Sequence, residues 1–259
     1  MTLAPASATD TDSASFRFTL GLADDALVLG HRLSEWSSRG PYLEEDIALT
    51  NVALDHVGRA RLFYQYAATQ SNGRSEDDLA FLRDARDFRN HLLFELSRGD
   101  FATTIVRQFL ADVYHAHYFR QLQHSSDATL AAVAEKACVE VQYHQRHSSE
   151  WLLKLGDGTE ESHKRTQSAL DELWGFTVEL FEIDDAGAQL IGDGVAIDPA
   201  AFRLEWQREV AAVIERATLQ LPEVDWAVRG GRAGYHTEHL GHLLTEMQSV
   251  HRAYPGCTW

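Results

Sequence analysis

Three acidic residues lie inside long stretches whose apolar residues recur at helical spacing. Asp55 lies in NVALDHVGRARLF, Asp112 in TIVRQFLADVYHAHYF, and Glu140 in EKACVEVQYHQRH. Apolar residues at i, i+3, i+4 and i+7 mark the buried face of an α-helix. Because a buried carboxylate without a partner is costly, each acid needs a hydrogen bond or an opposite charge. The stretches therefore predict helices that share a core containing polar groups.

The helical period continues through most of the chain, and turn residues such as Gly40-Pro41 and Ser71-Asn72-Gly73 divide it. Two pairs of long helices with short connections predict two antiparallel hairpins and a four-helix core. Three further helices would pack on that core, with a loop at Gly187–Ile197. The expected helices are Phe16–Ser38, Leu43–Thr69, Asp78–Leu96, Phe101–Gln123, Asp127–Leu155, Glu160–Ile183, Pro199–Leu221 and Tyr235–Tyr254.

The chain lacks a long linker and a repeat, so it is expected to form one helical domain over residues 16–259. Residues 1–15 are small and polar, which predicts a disordered tail. The formal net charge of −16 argues against nonspecific binding of nucleic acid or an anionic membrane. Two cysteines support no disulfide framework. No stretch has the roughly 20 apolar residues of a membrane span, and no signal peptide is evident, so we expect a cytoplasmic protein.

Acids on several helices of one bundle indicate a dinuclear metal centre or its remnant. Such centres take a Glu from each of two helices and a Glu-x-x-His from each of the other two. Here the spacings are Asp55-x-x-Gly58 and Glu140-x-x-Tyr143, which carry no imidazole. His144 is one residue further on, a rotation of about 100° around the helix. The predicted vestigial centre comprises Asp55, Gly58, Asp112, His115, Glu140, Tyr143 and His144.

Several alternatives stay open at this stage. The acids could form a di-iron or di-manganese site with His144 and His115, or a buried hydrogen-bonded network in which His115 partners Asp112. His239, His242 and Glu246 could chelate a metal, although a docked helix is the simpler interpretation. Arg83, Arg86 and Arg89 recur every three residues. They could line a solvated helix face or contact an anion, since arginine presents a planar donor fork.

Many segments in order give the chain a resemblance to a known family. It resembles the structural C subunits of bacterial multicomponent phenylacetyl-CoA epoxidases from about Phe16 to Trp259. The resemblance is carried by LGLADDALVLGHRLSEW, EEDIALTNVALDHVGRAR, LAFLRDARDFRNHLLFE, GDFATTIVRQFLADVYH, VQYHQRHSSEWLLKLGDGT, LWGFTVELFE and GYHTEHLGHLLTEMQ.

The resemblance implies an all-α, ferritin-like bundle that is a degenerate relative of the di-iron catalytic A subunit. It implies that this chain binds no catalytic metal or cofactor, pairs with the A subunit, and works with further subunits including a reductase. Phenylacetyl-CoA would lie near the interface between the two. The implied contacts are Asp87, Phe88, Arg89 and Asn90, with Ala188, Gln189 and Leu190, although Asp87 and Arg89 depart from the family pattern.

Two other hypotheses remain beside this one. The chain could be a di-metal oxygenase in its own right, using Asp55, Asp112, Glu140 and His144 with His115. It could also be a stand-alone helical protein that binds acyl-CoA.

Overall fold

The computed structural model describes residues 13–223 and 225–257. Its four longest helices are α1 (Ala14–Ser34), α2 (Leu43–Thr69), α5 (Phe101–Leu122) and α6 (Ala128–Gly156). The helix α1 packs along α2, α5 packs along α6, and α2 also contacts α6. The two predicted hairpins are confirmed, and they form a four-helix bundle.

Local sequence explains where α1, α5 and α6 begin. The side chain of Ser13 accepts a hydrogen bond from Phe16 N at 3.1 Å, and Asp100 accepts one from Thr103 N at 2.8 Å. Asp127 caps α6 in the same way. Such caps satisfy amide groups that have no partner inside the helix.

Shorter helices surround the bundle. They are α3 (Glu76–Phe81), α4 (Leu92–Glu95), α7 (Glu160–Trp174), α8 (Asp185–Ile191), α9 (Arg203–Arg216), α10 (Glu238–Met247) and α11 (Ser249–Ala253). The helices α7 and α9 pack on the α5–α6 hairpin, and α8 packs on α1.

The arrangement is an all-α, ferritin-like bundle, and the part of the chain that the structure describes contains no β-strand. Its large core takes apolar side chains from all four long helices and from α7, α9 and α10. Within the described ranges no helix is both long and apolar enough to cross a membrane.

The predicted helix Asp78–Leu96 is wrong as a single element. It is α3, a 3-10 turn at Ala85–Asp87 and the short helix α4. Backbone amides that would bond within a continuous helix instead donate to carboxylates on α1. Arg89 N donates to Asp24 Oδ2 at 2.8 Å, and His91 N donates to Asp25 Oδ1 at 2.7 Å. Charged acceptors form stronger hydrogen bonds than the neutral helix ladder, so the backbone follows the carboxylates.

Other boundaries also differ from the sequence prediction. The predicted helices Glu160–Ile183 and Pro199–Leu221 each contain a 3-10 stretch, and the last predicted helix is α10 followed by α11. The helix α8 occupies part of the predicted loop Gly187–Ile197, where the Asp184 side chain caps it by accepting from Gly187 N at 2.8 Å. Of the predicted tail, residues 1–12 lie outside the described residues, whereas α1 already begins at Ala14.

Candidate functional site: a polar cluster in the bundle core

A group of polar side chains lies at the centre of the four-helix bundle. We call it the core cluster. Helix α2 contributes His56 and Arg59, α5 contributes Gln108, Asp112 and His115, and α6 contributes His144 and Ser148. Every one of these residues is buried, with at most 5 % of its surface exposed.

Asp112 is the buried acid that the sequence predicted, but its partners differ from the expected one. Its two oxygens accept hydrogen bonds from Gln108 Nε2 at 2.7 Å and from Ser148 Oγ at 2.8 Å. Burial raises the pKa of Asp112 to about 7, against the opposing effect of these two hydrogen bonds. The predicted partner His115 does not bond to it. Instead its ring stacks on Phe119 and lies near the His56 ring.

The predicted positions of the missing ligands are wrong by one residue. Gly58 faces outward, since a methyl group built on it would meet nothing within 4 Å. Tyr143 is 42 % exposed. The inward residues at i, i+3 spacing are His56 and Arg59 on α2, and Val141 and His144 on α6. The expected 100° rotation of His144 therefore points it into the core rather than away from it.

Arg59 places a positive charge inside the core cluster. Its Nη2 donates to Glu140 Oε2 at 3.2 Å, and its guanidinium lies 4.8 Å from the centre of the Phe119 ring. Burial lowers the pKa of Arg59, an effect that the nearby carboxyl groups of Glu140 and Asp112 oppose. The guanidinium therefore supplies a fixed cation beside the carboxyl groups of the bundle core.

The other two predicted acids lie at the rim of the core cluster. Asp55 is half-exposed and its Oδ2 is 2.9 Å from His144 Nε2. Glu140 is partly buried and bonds both to Arg59 and to Lys136, whose Nζ is 2.7 Å from Glu140 Oε1. The prediction of three inward acids therefore holds fully for Asp112 alone.

The histidines of the core cluster are held in their neutral form. Burial lowers the pKa of His56 and of His115 well below the ordinary value, and the charge of Arg59 acts in the same direction. Burial also lowers the pKa of His144, against the hydrogen bond with Asp55. Neutral imidazoles are the form that binds metals. The Nδ1 atoms of all three rings have no hydrogen-bond partner in the protein.

The donor set decides which metal centre these residues could hold. Among the described residues, His56, Asp112 and His144 form a group whose ligand atoms lie within 4.8 Å of one another. Two imidazoles and one carboxyl group can hold one transition-metal ion. A dinuclear carboxylate centre takes four carboxylates and two histidines, which the core cluster does not supply. The residues therefore do not fit a di-iron centre.

Space beside the core cluster is also small. A cavity lined by Arg59, His115, Tyr114 and Tyr118 has a volume of about 10 Å³, room for about one water molecule. A second cavity, of about 30 Å³, shares Tyr114 and Tyr118 in its lining. A substrate ring cannot enter either volume.

A second candidate site is a surface groove of about 690 Å³, which we call the arginine groove. Ligand pockets in proteins commonly have volumes of about 300–1,000 Å³. Its lining includes Arg89 and Gln189 from the two stretches that the resemblance implied, so the structure brings these stretches together. Four arginines and four acids line it: Arg17, Arg89, Arg229 and Arg232, with Glu179, Glu182, Asp184 and Asp185.

The remaining predicted contacts lie elsewhere. Phe88 and Asn90 are completely buried. Asp87 and Ala188 are exposed and Leu190 is half-buried, and none of these three lines the groove. The three predicted arginines separate, which overturns the single solvated helix face. Arg83 is buried against Asp24, Arg86 is exposed, and Arg89 is half-buried at the groove.

The sequence did not identify four buried carboxylates that position the segment 88–92. We call this segment the groove wall, because its Arg89 lines the arginine groove. Asp24 bonds to Arg83, to Tyr64 Oη at 2.5 Å and to Arg89 N. Asp25 Oδ2 accepts from Arg232 Nη2 at 2.6 Å. Glu179 and Glu95 hold a C-terminal segment, residues 230–237: Glu179 accepts a hydrogen bond from Gly231 N, and Glu95 bonds to the His236 ring. A signal was present: α1 is apolar on nearly every face, so its adjacent acids had to be buried with partners.

The His239–His242 segment docks rather than chelates. His239 O accepts from Arg32 Nη2 at 2.7 Å, and His242 is exposed on one side of α10. The only three-residue ligand group within the described ranges is the one in the core cluster.

Comparisons with known proteins agree with this architecture. The family model described as "Phenylacetic acid catabolic protein" matches residues 2–259. The chain is also 46 % identical over 242 residues to the C subunit of the 1,2-phenylacetyl-CoA epoxidase of Escherichia coli (strain K12). That alignment covers 93 % of this chain and 98 % of the relative.

Proposed function

The chain belongs to the family of phenylacetic acid catabolic proteins, and we propose that it is the noncatalytic structural subunit of a phenylacetyl-CoA 1,2-epoxidase complex. In this role it pairs with a di-iron catalytic A subunit and stabilises it. A reductase and further subunits complete the complex. The chain itself carries no metal or other cofactor.

The observation that carries this proposal is Arg59 within the core cluster. A di-iron oxygenase concentrates carboxylates around two metal ions. Here an arginine on α2 occupies the inward position three residues after His56, and Val141 occupies the inward position three residues before His144. The guanidinium bonds to Glu140, so this carboxylate has a partner other than a metal ion. Charge balance in the core is thereby reached without iron.

The small volume beside the core cluster supports the same conclusion. Oxidation of an aromatic ring needs the ring next to the activated oxygen species, since reacting atoms must approach to about 3–3.5 Å. The cavity at Arg59 and His115 holds about 10 Å³. The arginine groove is a separate volume, and neither Arg59 nor His115 lines it.

We assign the arginine groove to the CoA ester of the substrate. Its 690 Å³ volume, the exposed amide of Gln189 and the guanidinium of Arg89 suit a phosphate-bearing ligand. Arg232 and Arg229 are paired with Asp25 and Glu182. Arg89, by contrast, donates only to backbone carbonyls, at Arg86 and Phe88, in the described structure. It is therefore the arginine whose charge a phosphate would best neutralise.

One observation favours a second candidate, an oxygenase active by itself. The set His56, Asp112 and His144 resembles the two-histidine, one-carboxylate arrangement of mononuclear non-haem iron enzymes. In this interpretation Asp55 would orient His144 as an outer carboxylate, as is common for metal-bound histidines. Arg59 and the small cavity beside it, of about 10 Å³, weigh against it.

Reconstitution separates the two candidates. Phenylacetyl-CoA turnover is measured with the reductase and either this chain, the A subunit, or both. We expect sustained turnover only with both, and co-purification of the A subunit with tagged chain. Turnover by this chain and reductase alone would establish the second candidate. An A subunit that is stable and active without this chain, and that does not co-purify with tagged chain, would overturn the structural role.

The groove assignment has its own test in the assembled complex. Arg89→Ala should weaken binding of phenylacetyl-CoA by roughly ten- to a hundredfold, because a hydrogen bond between charged groups contributes about 1.5–3 kcal/mol. Arg86→Ala is the matched control, since Arg86 lies in the same segment but is exposed outside the groove lining. Equal affinities for both variants would place the ester elsewhere.

A further inference from the structure

The core cluster contains a nearly complete ligand set for a single metal ion. His56, Asp112 and His144 come from three different helices and are all buried, with ligand atoms within 4.8 Å of one another. The Nδ1 atoms of His56 and His144 have no hydrogen-bond partner in the protein. A buried ring nitrogen without a partner is costly, so each of these two imidazoles keeps an unused ring nitrogen inside the bundle.

The outer contacts of this set match those of working metal sites. His144 Nε2 lies 2.9 Å from Asp55 Oδ2, which leaves Nδ1 as the ring nitrogen available to a metal ion. Metal-bound histidines almost always place their second nitrogen against a carboxylate or carbonyl in this way. Asp112 is fixed from both sides by Gln108 and Ser148. Its orientation is therefore set by neighbours other than a metal.

Arg59 is the exception within this arrangement. It lies three residues after His56 on α2, its side chain is 2 % exposed, and it bonds to Glu140, which lies one turn before His144 on α6. Its Nε has no hydrogen-bond partner in the protein. One buried guanidinium with a single carboxylate bond is thus held beside the turns of α2 and α6 that carry two of the three candidate metal ligands, His56 and His144. In a buried site of low dielectric constant, that charge strongly disfavours a divalent cation.

We propose that Arg59 is a built-in exclusion residue, which keeps a divalent transition-metal ion out of a site that His56, Asp112 and His144 still form. The site is latent: its ligands are in place, and the guanidinium supplies the positive charge that a metal ion would bring. Two histidines and one carboxylate favour Fe²⁺, Co²⁺, Ni²⁺ or Zn²⁺ over Mg²⁺ or Ca²⁺, because imidazole is a poor ligand for the latter pair. The inference rests on the metal-free core of the proposed function and adds its cause.

The test removes the charge and measures metal binding with Co²⁺, whose visible absorption reports its ligands. Arg59→Met and Arg59→Gln keep a long side chain and a good helix former, and two variants guard against one that does not fold. Each is checked by circular dichroism before titration. We expect a folded neutral variant to bind roughly one Co²⁺ per chain. Its affinity should be at least about a hundredfold above that of the wild type.

Two controls make the assignment specific. Arg59→Lys keeps the positive charge, so it should bind Co²⁺ as poorly as the wild type. Adding His144→Gln to Arg59→Met removes one ligand and should abolish the gain. In the wild type, excess Co²⁺ should produce no absorption band of a histidine-bound ion, a result that needs no variant.

Two results would overturn the inference. Neutral variants that bind Co²⁺ no better than Arg59→Lys would show that the guanidinium excludes nothing. Wild-type chain that binds Co²⁺ as tightly as the neutral variants would show the same. The proposed structural role is judged separately, by phenylacetyl-CoA turnover in the same samples, because metal binding without turnover leaves that role intact.

Discussion

At the scale of single residues, the side of α2 and α6 that faces inward determines which polar side chains lie in the core. His56 and Arg59 point into the bundle, whereas Asp55 lies at the rim and Gly58 faces outward. The sequence identified the acids and the helices but not this register. An apolar stripe spans roughly 100° of a helix, and one residue step rotates by about the same angle. Periodicity alone therefore does not show which of two adjacent polar residues, such as Asp55 and His56, points into the core.

Gly58→Ala tests the register directly. Because a methyl group at this position meets no other atom within 4 Å and lies inside α2, alanine should stabilise the chain by about 0.5–1 kcal/mol. The measurement is the free energy of unfolding in urea. A loss of stability would instead place Gly58 against the core, as the sequence alone suggested.

His236 predicts a pH dependence of stability. Burial lowers its pKa, but the Glu95 carboxylate at 2.7 Å and the Phe88 carbonyl at 3.0 Å outweigh this effect, so the pKa lies above the ordinary 6.5. A pKa raised by folding stabilises the protein fully below about pH 6.5. That contribution is lost as the pH rises through the raised value.

The free energies of unfolding of the wild type and His236→Gln are compared, so that the contributions of the titrating groups common to both proteins cancel. The wild type should be more stable by on the order of 1 kcal/mol at pH 5.5, and the difference should shrink steadily toward pH 9. A difference that grows with pH would mean that His236 is neutral in the folded state. Urea unfolding at matched ionic strength measures it.

At the scale of elements, the long helices follow from the sequence and the irregular segment does not. Leu43–Thr69 was predicted at both ends because Gly40-Pro41 and Ser71-Asn72-Gly73 are local signals. Segment 82–91 has helical periodicity, but Asp24 and Asp25 on α1 take its amides. Contacts between residues more than sixty positions apart leave no local trace. The same applies to Glu179, which holds the C-terminal segment against the groove wall.

Gly231 tests how tightly that C-terminal segment is docked. Its amide donates to Glu179 Oε1 at 2.6 Å, and an added methyl group would lie 2.2 Å from the Asn90 carbonyl oxygen. Gly231→Ala should therefore destabilise the chain by about 1–3 kcal/mol. It should also speed hydrogen exchange at Leu92 and Gly230, whose amides share the same carboxylate.

Gly241→Ala is the matched control for this substitution. Gly241 belongs to the same C-terminal part of the chain, but it lies inside α10, where an added methyl group meets nothing within 4 Å. The substitution should be neutral or slightly stabilising. Equal effects of the two substitutions would show that the C-terminal segment is not locked against the groove wall.

At the scale of the whole molecule, one bundle carries two separate polar regions. In the core cluster, Arg59 is paired with Glu140, and the arginine groove is a separate surface volume. The family resemblance located both stretches that meet at the groove, through Arg89 and Gln189. It could not show that Phe88 and Asn90 are buried, because burial depends on how segment 82–91 folds back on α1.

The central claim is that this polypeptide holds its core together without iron while its partner carries the di-iron centre. Crystals of the assembled epoxidase complex, measured at the iron absorption edge, test it most directly. We predict anomalous peaks in the A subunit and none among His56, Asp112 and His144. An iron peak coordinated by those three side chains, with Arg59 displaced from Glu140, would contradict the account.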